Sequence, residues 1–399
     1  MSEKSKSITN CCTIYKKIKM KEINIITTSF FDISKNVLKI GGLETYIKDL
    51  ALLAIGEGYT VRVFQLQKTT NNIDNVCFNG ITIIPYCLPS AFLMSSYQKS
   101  FDNIYKCFNN GNAKFIIATD QLDIKSSANN VIAIQHGIAF DLPGYLIPGF
   151  WGKNRALQFV NKFLRCIKNV QRFYHTKNTV CVDYNYYNWF RTLGTIYPGM
   201  NLVVIPNYAS SYITKQELLD KLQRIGSKKK ILFARRFVDY RGALLFADVV
   251  ERLLQEGQNI EVTFAGNGPL EQSLKDRFKQ FPMVQFTSFY AGESVTFHKK
   301  YDIAIVPTIY SEGTSLSLCE AMAAGCFPIA TYVGGITNII LDGYNGLLSE
   351  PSVDGVYGAI MKCLHFNQEE YNSVVLHSYD TVCASFVKKV WEDKWRKIL

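Results

Sequence analysis

Pro307-Thr308-Ile309-Tyr310-Ser311-Glu312-Gly313-Thr314-Ser315-Leu316 leaves an apolar run and enters Leu318-Cys319-Glu320-Ala321-Met322-Ala323-Ala324-Gly325, a segment of helical character. Gly313, Thr314 and Ser315 fall at the expected helix start, where unpaired N–H groups and the helix dipole favour an anion such as a diphosphate. Glu312 before the helix and Glu320 within it would repel a phosphate. They make more sense as acceptors from neutral hydroxyls, because a vicinal diol offers two donors to one carboxylate. A nucleotide sugar carries hydroxyls on both sides of its diphosphate. A helix cap followed by a solvated glutamate is the plain alternative.

Phe233-Ala234-Arg235-Arg236-Phe237-Val238-Asp239-Tyr240-Arg241-Gly242 is a second candidate. Arg236 and Arg241 lie in a loop between an expected strand and an expected helix, and guanidinium forks match phosphate oxygens. Gly41-Gly42-Leu43-Glu44 follows the first strand, where glycines let a backbone approach a ligand closely. Glu44 reads as a helix-end charge. His136 follows the strand Val131–Gln135, a place where a lone histidine is usually structural. Gly266-Asn267-Gly268-Pro269 reads as a turn into a helix.

Residues 152–177 hold seven Lys or Arg, and no acid occurs from Leu142 to Val182. Lys162, Arg165, Lys168 and Arg172 line one helical face, with Leu157, Val160, Leu164, Ile167 and Tyr174 opposite and Phe150 and Trp151 before it. Two readings stay open: a domain helix with its apolar face in the core, or a helix resting on acidic lipid.

These residues need a scaffold that brings loops together. Short β-branched runs are expected as strands at 23–28, 61–66, 81–86, 114–119, 131–135, 179–182 and 202–205, then at 231–234, 260–265, 284–286, 303–307 and 327–331. Helical periods at 43–58, 244–256, 270–280 and 315–324 alternate with them. This is the βαβ rhythm of doubly wound α/β domains. The expected plan is a basic extension over 1–19, an N-terminal domain over 20–205, a linker over 206–229, a C-terminal domain over 230–384 and a final helix over 385–399. Met20 reads as a normal domain start, so an upstream start or an arm would account for the extension.

The 399 residues are 48% apolar and 19% charged, which excludes a disordered chain. No run of about 18 apolar residues offers a membrane-spanning helix, and no signal peptide is expected. The net charge of +11 favours phosphates, acidic lipids or nucleic acid as partners; no nucleic-acid motif accompanies it, so nucleic acid is not expected. Eleven cysteines, with only Cys11 and Cys12 close, and five scattered histidines imply neither a zinc site nor a disulfide framework. A reducing cytoplasm is the expected compartment, with the cytoplasmic face of the inner membrane as the place of any peripheral contact.

Over 307–348 the chain resembles the retaining glycosyltransferases of family 4, which have the GT-B fold of two Rossmann-like domains. Their hallmark places two glutamates eight positions apart in "P-S-x-x-E-G-x-x-x-x-x-x-E-A-M-A-x-G". Val333-Gly334-Gly335-Ile336 and Asp342-Gly343-Tyr344-Asn345-Gly346 continue the likeness, with Asn338 where the family often has Glu. The resemblance implies that Glu312 lies against the transferred sugar and Glu320 holds the ribose hydroxyls. Backbone N–H groups around Thr314–Leu316 would meet sugar and phosphates.

The second segment resembles the family's "G-R-L-x-x-x-K-G", so Arg236 and Arg241 would neutralise the diphosphate; Arg235 replaces the Gly and Arg241 the Lys. By the same resemblance Gly41 and Gly42 face the diphosphate, His136 touches the donor sugar, and Gly266 and Gly268 lie near the nucleotide base. The metal-binding Asp-x-Asp of GT-A enzymes is absent, so neither a metal nor any other cofactor is expected. The implied activity moves a hexose-type sugar from a UDP- or GDP-sugar to a glycan or lipid-linked glycan, in surface-glycan or lipopolysaccharide synthesis. Rival readings are a GT-B phosphorylase, a nucleotide-sugar epimerase, or a silent sugar-nucleotide-binding subunit.

Overall fold

The computed structural model describes residues 21–399 except 40, 69–73, 90–92, 138–153, 194–199, 225 and 311. The extension over 1–19, Phe150, Trp151 and Ser311 lie outside the described residues. Two compact units, residues 1–133 and 134–399, divide the chain.

The first unit contains β1 (Glu22–Thr27), the small hairpin β2 (Phe31–Asp32) and β3 (Val37–Leu38), and α1 (Gly42–Gly56). Then come β4 (Thr60–Gln67), β5 (Val76–Phe78), β6 (Ile81–Cys87), α2 (Leu93–Phe108), β7 (Ala113–Ile117) and the start of β8 (Val131–Gln135). Strand order is β5-β6-β4-β1-β7-β8, parallel except for β5. Ile23, Ile25 and Ile26 of β1 are all buried, because a parallel strand covered on both faces reads as a continuous apolar run. The order reverses at β1, and the loop carrying Gly41 follows it.

The second unit opens with α3 (Arg155–Arg172), β9 (Asn178–Cys181), α4 (Tyr184–Leu193) and β10 (Asn201–Val204). It continues through α5 (Lys215–Gln223), β11 (Lys229–Ala234), α6 (Ala243–Gln255), β12 (Ile260–Ala265), α7 (Glu271–Arg277) and β13 (Val284–Thr287). Next are α8 (Ser294–His298), β14 (Ile303–Val306), α9 (Leu316–Ala323), β15 (Phe327–Thr331) and β16 (Leu347–Ser349). Three helices close the chain: α10 (Val353–His365), α11 (Gln368–Ser385) and α12 (Lys388–Arg396).

The sheet order β13-β12-β11-β14-β15-β16 is wholly parallel. Phe233, Phe246 and Phe264 cluster at its centre, with Phe233 stacked on Phe246. The order reverses between β11 and β14, and ligands of open α/β sheets bind beyond the carboxyl ends of strands at such a switch point. Both candidate loops leave these two strands.

Residues 206–229, expected as a linker, contain α5, which starts at a reciprocal Thr214–Glu217 cap and buries Leu218 and Leu222. The unit boundary falls earlier because the residues after β8 are tied into the second unit. Ala209 bridges Val387, and Tyr208 packs on Trp391 at 4.7 Å. Trp391 and Trp395, one turn apart on α12, are both buried.

The first turns of α3 do not enter a core. Phe159, Phe163 and Leu164 are 72%, 57% and 54% exposed, and Val160 and Ile167 are exposed too. Its C-terminal part docks, through Cys166 and the buried Val170, beside Phe173. Of the apolar face expected from sequence, Val160, Leu164 and Ile167 are exposed, Leu157 is half-buried and Tyr174 packs on the buried cluster, so the reading with that face in the core holds only toward the end of the segment.

Candidate functional site

Glu312 sits in the loop between β14 and α9, and the fold aims three side chains at it. Arg235 comes directly after β11 and places Nη2 2.5 Å from Glu312 Oε1. Its Nη1 donates to Thr308 Oγ1. Thr308 in turn donates to Glu312 Oε2 at 2.7 Å. Arg241 Nη1 lies 3.1 Å from Glu312 Oε1.

Backbone contacts hold this arrangement. Arg235 N donates to Ala265 O, Phe237 N to Asn267 O, and Ile309 N to Tyr240 O. Gly242 has φ +80°, and a Cβ there would lie 1.9 Å from Pro307 O. Only glycine allows the Arg241 loop to lie so close to the Glu312 loop. Gly266 and Gly268 pack in the same way on the carbonyls of Arg235 and Phe237. These two glycines thus shape the arginine loop as well as the turn expected from sequence.

Burial alone would push the Glu312 carboxyl up. The Arg235 and Arg241 guanidinia outweigh it and hold the carboxyl at about 2. Glu320, on α9, has no such cation. Loss of water pushes it up to about 7, against a hydrogen bond from the Ser294 hydroxyl. The two expected acids are thus one firmly ionised carboxylate and one poised near neutrality.

Gly313, Thr314 and Ser315 form the buried entry to α9, and Leu316 is its first residue. The N-cap residue Ser315 makes no side-chain cap hydrogen bond, which leaves the first N–H groups of α9 without that acceptor. Thr314 Oγ1 donates to Val182 O at 2.5 Å, and Asn207 Nδ2 donates to Thr314 O at 2.9 Å. The carbonyl of His136 lies 3.6 Å from the place a Gly313 Cβ would occupy. The His136 backbone thus lies beside Gly313.

The remaining expected residues are placed differently. Arg236 is exposed, and its side chain makes no hydrogen bond or ion pair among the described residues. Its neighbour Arg235 is the one turned inward. Gly41 and Gly42 begin α1 in the first unit. There Glu44 receives a hydrogen bond from Ser29 and packs on Gly41, a local role at the helix end.

Sequence reasoning passed over Arg235, Thr308, Asn207 and Asp183. Asp183 is 1% exposed, directly before α4. Its Oδ1 accepts from Tyr186 N at 3.0 Å, whereas Oδ2 has no hydrogen-bond partner among the described residues and lies 3.0 Å from where a Gly313 Cβ would sit. Burial pushes its carboxyl up to about 6, opposed by the Tyr186 and Asn185 amides. The available signal was an acid between a strand and a helix, which reads locally as an ordinary cap. Among the described residues, no three His, Cys, Asp or Glu side chains gather as a metal site.

Residues 214–374 match the family described as glycosyl transferases group 1. An uncharacterized glycosyltransferase of Methanocaldococcus jannaschii is 28% identical over 39% of this chain and 40% of its own length. The chain thus spans less than half of that relative. A second uncharacterized glycosyltransferase of the same organism is 23% identical over 90% of this chain and 92% of its own. The lipopolysaccharide 1,2-N-acetylglucosaminetransferase of Salmonella typhimurium is 26% identical over 49% of this chain and 58% of its own. Among solved structures, the sucrose-phosphate synthase of Thermosynechococcus elongatus has a TM-score of 0.68 at 13% identity, covering 95% of this chain and 98% of its own. Anabaena HepE, solved in complex with UDP-glucose, has a TM-score of 0.65 at 13% identity, covering 94% and 98%. These likenesses are of fold, and the fold is GT-B.

Proposed function

We propose, from the premise that residues 214–374 are a group 1 glycosyltransferase segment on a GT-B scaffold, that this chain is a retaining glycosyltransferase. It moves a hexose-type sugar from a UDP- or GDP-sugar to a hydroxyl acceptor without a divalent metal. The observation that carries the reading is the Glu312 cluster: a carboxylate faced by two arginines at the sheet's switch point, beside the uncapped start of α9.

In the transition state the bond from the anomeric carbon to the diphosphate breaks, and charge develops on the leaving oxygens. Arg241 and the α9 N–H groups meet that charge. Glu312 accepts from donor-sugar hydroxyls, and Glu320 from the ribose diol. On this reading the leaving phosphate takes the acceptor's proton as the new bond forms on the same face. HepE's UDP-glucose supports a nucleotide-sugar donor.

The test is thermal stability and calorimetry with UDP, GDP, ADP, CMP and their sugars in chelator, followed by transfer of a labelled sugar. One nucleotide series should raise the melting temperature by mass action. No shift with any of them, or a shift only with added metal, overturns the reading.

The acceptor is read as a lipid-linked or growing surface glycan, with α3 resting on anionic lipid at the cytoplasmic membrane face. Among the described residues no helix is long and apolar enough to cross a membrane. α3 instead presents Phe159, Phe163 and Leu164 to solvent within a stretch rich in Lys and Arg. The Salmonella relative's name supports a surface glycan. Burying one Phe contributes on the order of 2 kcal/mol. The variant with Phe159→Ser and Phe163→Ser should therefore lose affinity for phosphatidylglycerol vesicles by about a hundredfold or more. Equal binding of the parent to neutral and anionic vesicles, or no binding, removes the membrane from the proposal.

A further inference from the structure

Two guanidinium groups face one carboxylate at Glu312, but they are held very differently. The Arg235 side chain is 6% exposed and bonded to both Glu312 and Thr308. It leaves the chain one residue after β11, where Arg235 N is fixed to Ala265 O and Gly266 packs on its carbonyl. The Arg241 side chain is 31% exposed and stands on the short turn Asp239–Arg241. Its Nη1 is buried and close to Glu312 Oε1, yet it makes no hydrogen bond there. A buried guanidinium N–H without an acceptor is costly to leave so, and it suits an incoming oxygen.

We infer that the two arginines divide the work. Arg235 is a fixed positioning residue that stays with Glu312, and Arg241 is the exchangeable cation that leaves it for the donor diphosphate. The inference rests on the donor reading above and adds a residue that the family pattern fills with Gly. When Arg241 turns to phosphate, Glu312 keeps Arg235 on Oε1 and Thr308 on Oε2. It therefore stays ionised and in one orientation while the sugar binds. Without Arg235 the same movement would strip Glu312, largely buried, of both cations. The charged or titratable groups that act on this cluster are Arg235, Arg241, Tyr240 and Cys319, and only the arginines favour the ionised carboxylate.

The experiment compares Arg235→Gly, Arg235→Lys and Arg241→Ala in the full chain. Affinity for the nucleoside diphosphate is read by calorimetry, kcat by transfer, and kcat against pH from about 4.5 to 8. Arg241→Ala should weaken diphosphate binding at least about tenfold and leave the acid side of the kcat profile flat. Arg235→Gly should change that affinity less than about threefold, lower kcat by about a hundredfold, and create an acid limb between about pH 5 and 6. Arg235→Lys, which keeps a charge, should recover part of kcat and move the limb back down.

Tenfold weaker diphosphate binding in Arg235→Gly with a flat profile overturns the division. So does a Lys variant no better than Gly. If the unaltered chain binds no nucleoside diphosphate, the donor reading has failed. A double-mutant cycle in stability then decides the fixed pair: Glu312→Gln should couple strongly to Arg235→Gly and weakly to Arg241→Ala, and the reverse order overturns it.

Discussion

Glu312 and Glu320 belong to one short stretch, yet the loop and the helix treat their carboxyl groups in opposite ways. In the loop, Arg235 and Arg241 hold Glu312 at about 2 although burial acts upward on it. On α9, no cation answers the loss of water, and Glu320 rises to about 7. Burial acts upward on both, so partners rather than depth decide which acid is ionised. The contrast separates their chemistry: the paired arginines favour the ionised form of Glu312, whereas burial brings Glu320 close to neutrality, where a proposed hydroxyl ligand would shift its proton.

Substitution at Glu312 should break the comparison most strongly. Glu312→Gln leaves Arg235 buried without its counter-charge, which costs about 3–5 kcal/mol. Turnover should fall on the order of 10²- to 10³-fold, read as kcat at saturating donor together with a lowered melting temperature. Wild-type turnover in this variant would remove Glu312 from the site.

Glu320 sharpens the comparison through pH. In the proposed ribose contact the hydroxyls would donate to the ionised carboxylate, so binding would pull its proton off. Donor affinity should therefore rise by up to about tenfold as pH increases from 6 to 8, and become flat in Glu320→Gln, with weaker binding overall. Calorimetry in buffers of different ionisation enthalpy would count the proton released; no release would exclude Glu320 from the ribose contact.

Asp183 offers the smallest effect and the clearest sign. Its folded pKa, about 6, lies above its ordinary value of 3.8. The folded protein therefore binds more protons between those values, and the stability associated with Asp183 declines as pH rises through that window. Glu312 does the reverse: its contribution is full above about 4.5 and is lost as pH falls toward 2. Asp183→Asn keeps an acceptor for Tyr186 N and removes the charge. It should raise the melting temperature by roughly 2–6 °C at pH 8 and by little at pH 4. An equal change at both pH values would contradict a pushed-up Asp183.

Much of the second unit was legible because parallel strands covered on both faces are nearly unbroken apolar runs. Strands β12 and β15 have the ends expected from sequence. Helices α10 and α11 were not anticipated. α11 contains Val374, Val375 and Val382 among polar residues, a mixture with a weak period, although its Asn367–Glu370 cap was readable. α5 is hidden in the sequence because Pro206–Ser211 reads as a linker, although Thr214-x-x-Glu217 marks a helix start.

From the chain alone came the βα rhythm, the eight-residue interval between two glutamates, and a pair of cations after a strand. These are local properties: apolar periodicity, helix-start chemistry and residue type. Tertiary structure decided which of two adjacent arginines faces Glu312. Arg235 and Arg236 carry the same charge, so residue type cannot choose between them. The closure of the 235–242 loop onto Asn267 and Pro307 turns Arg235 inward. Tertiary structure likewise decided the proton affinities of Glu320 and Asp183, which depend on how much water the surrounding chain removes and on whether it supplies a cation. It also left the first turns of α3 uncovered, because the fate of an apolar face depends on what packs against it and not on its own sequence.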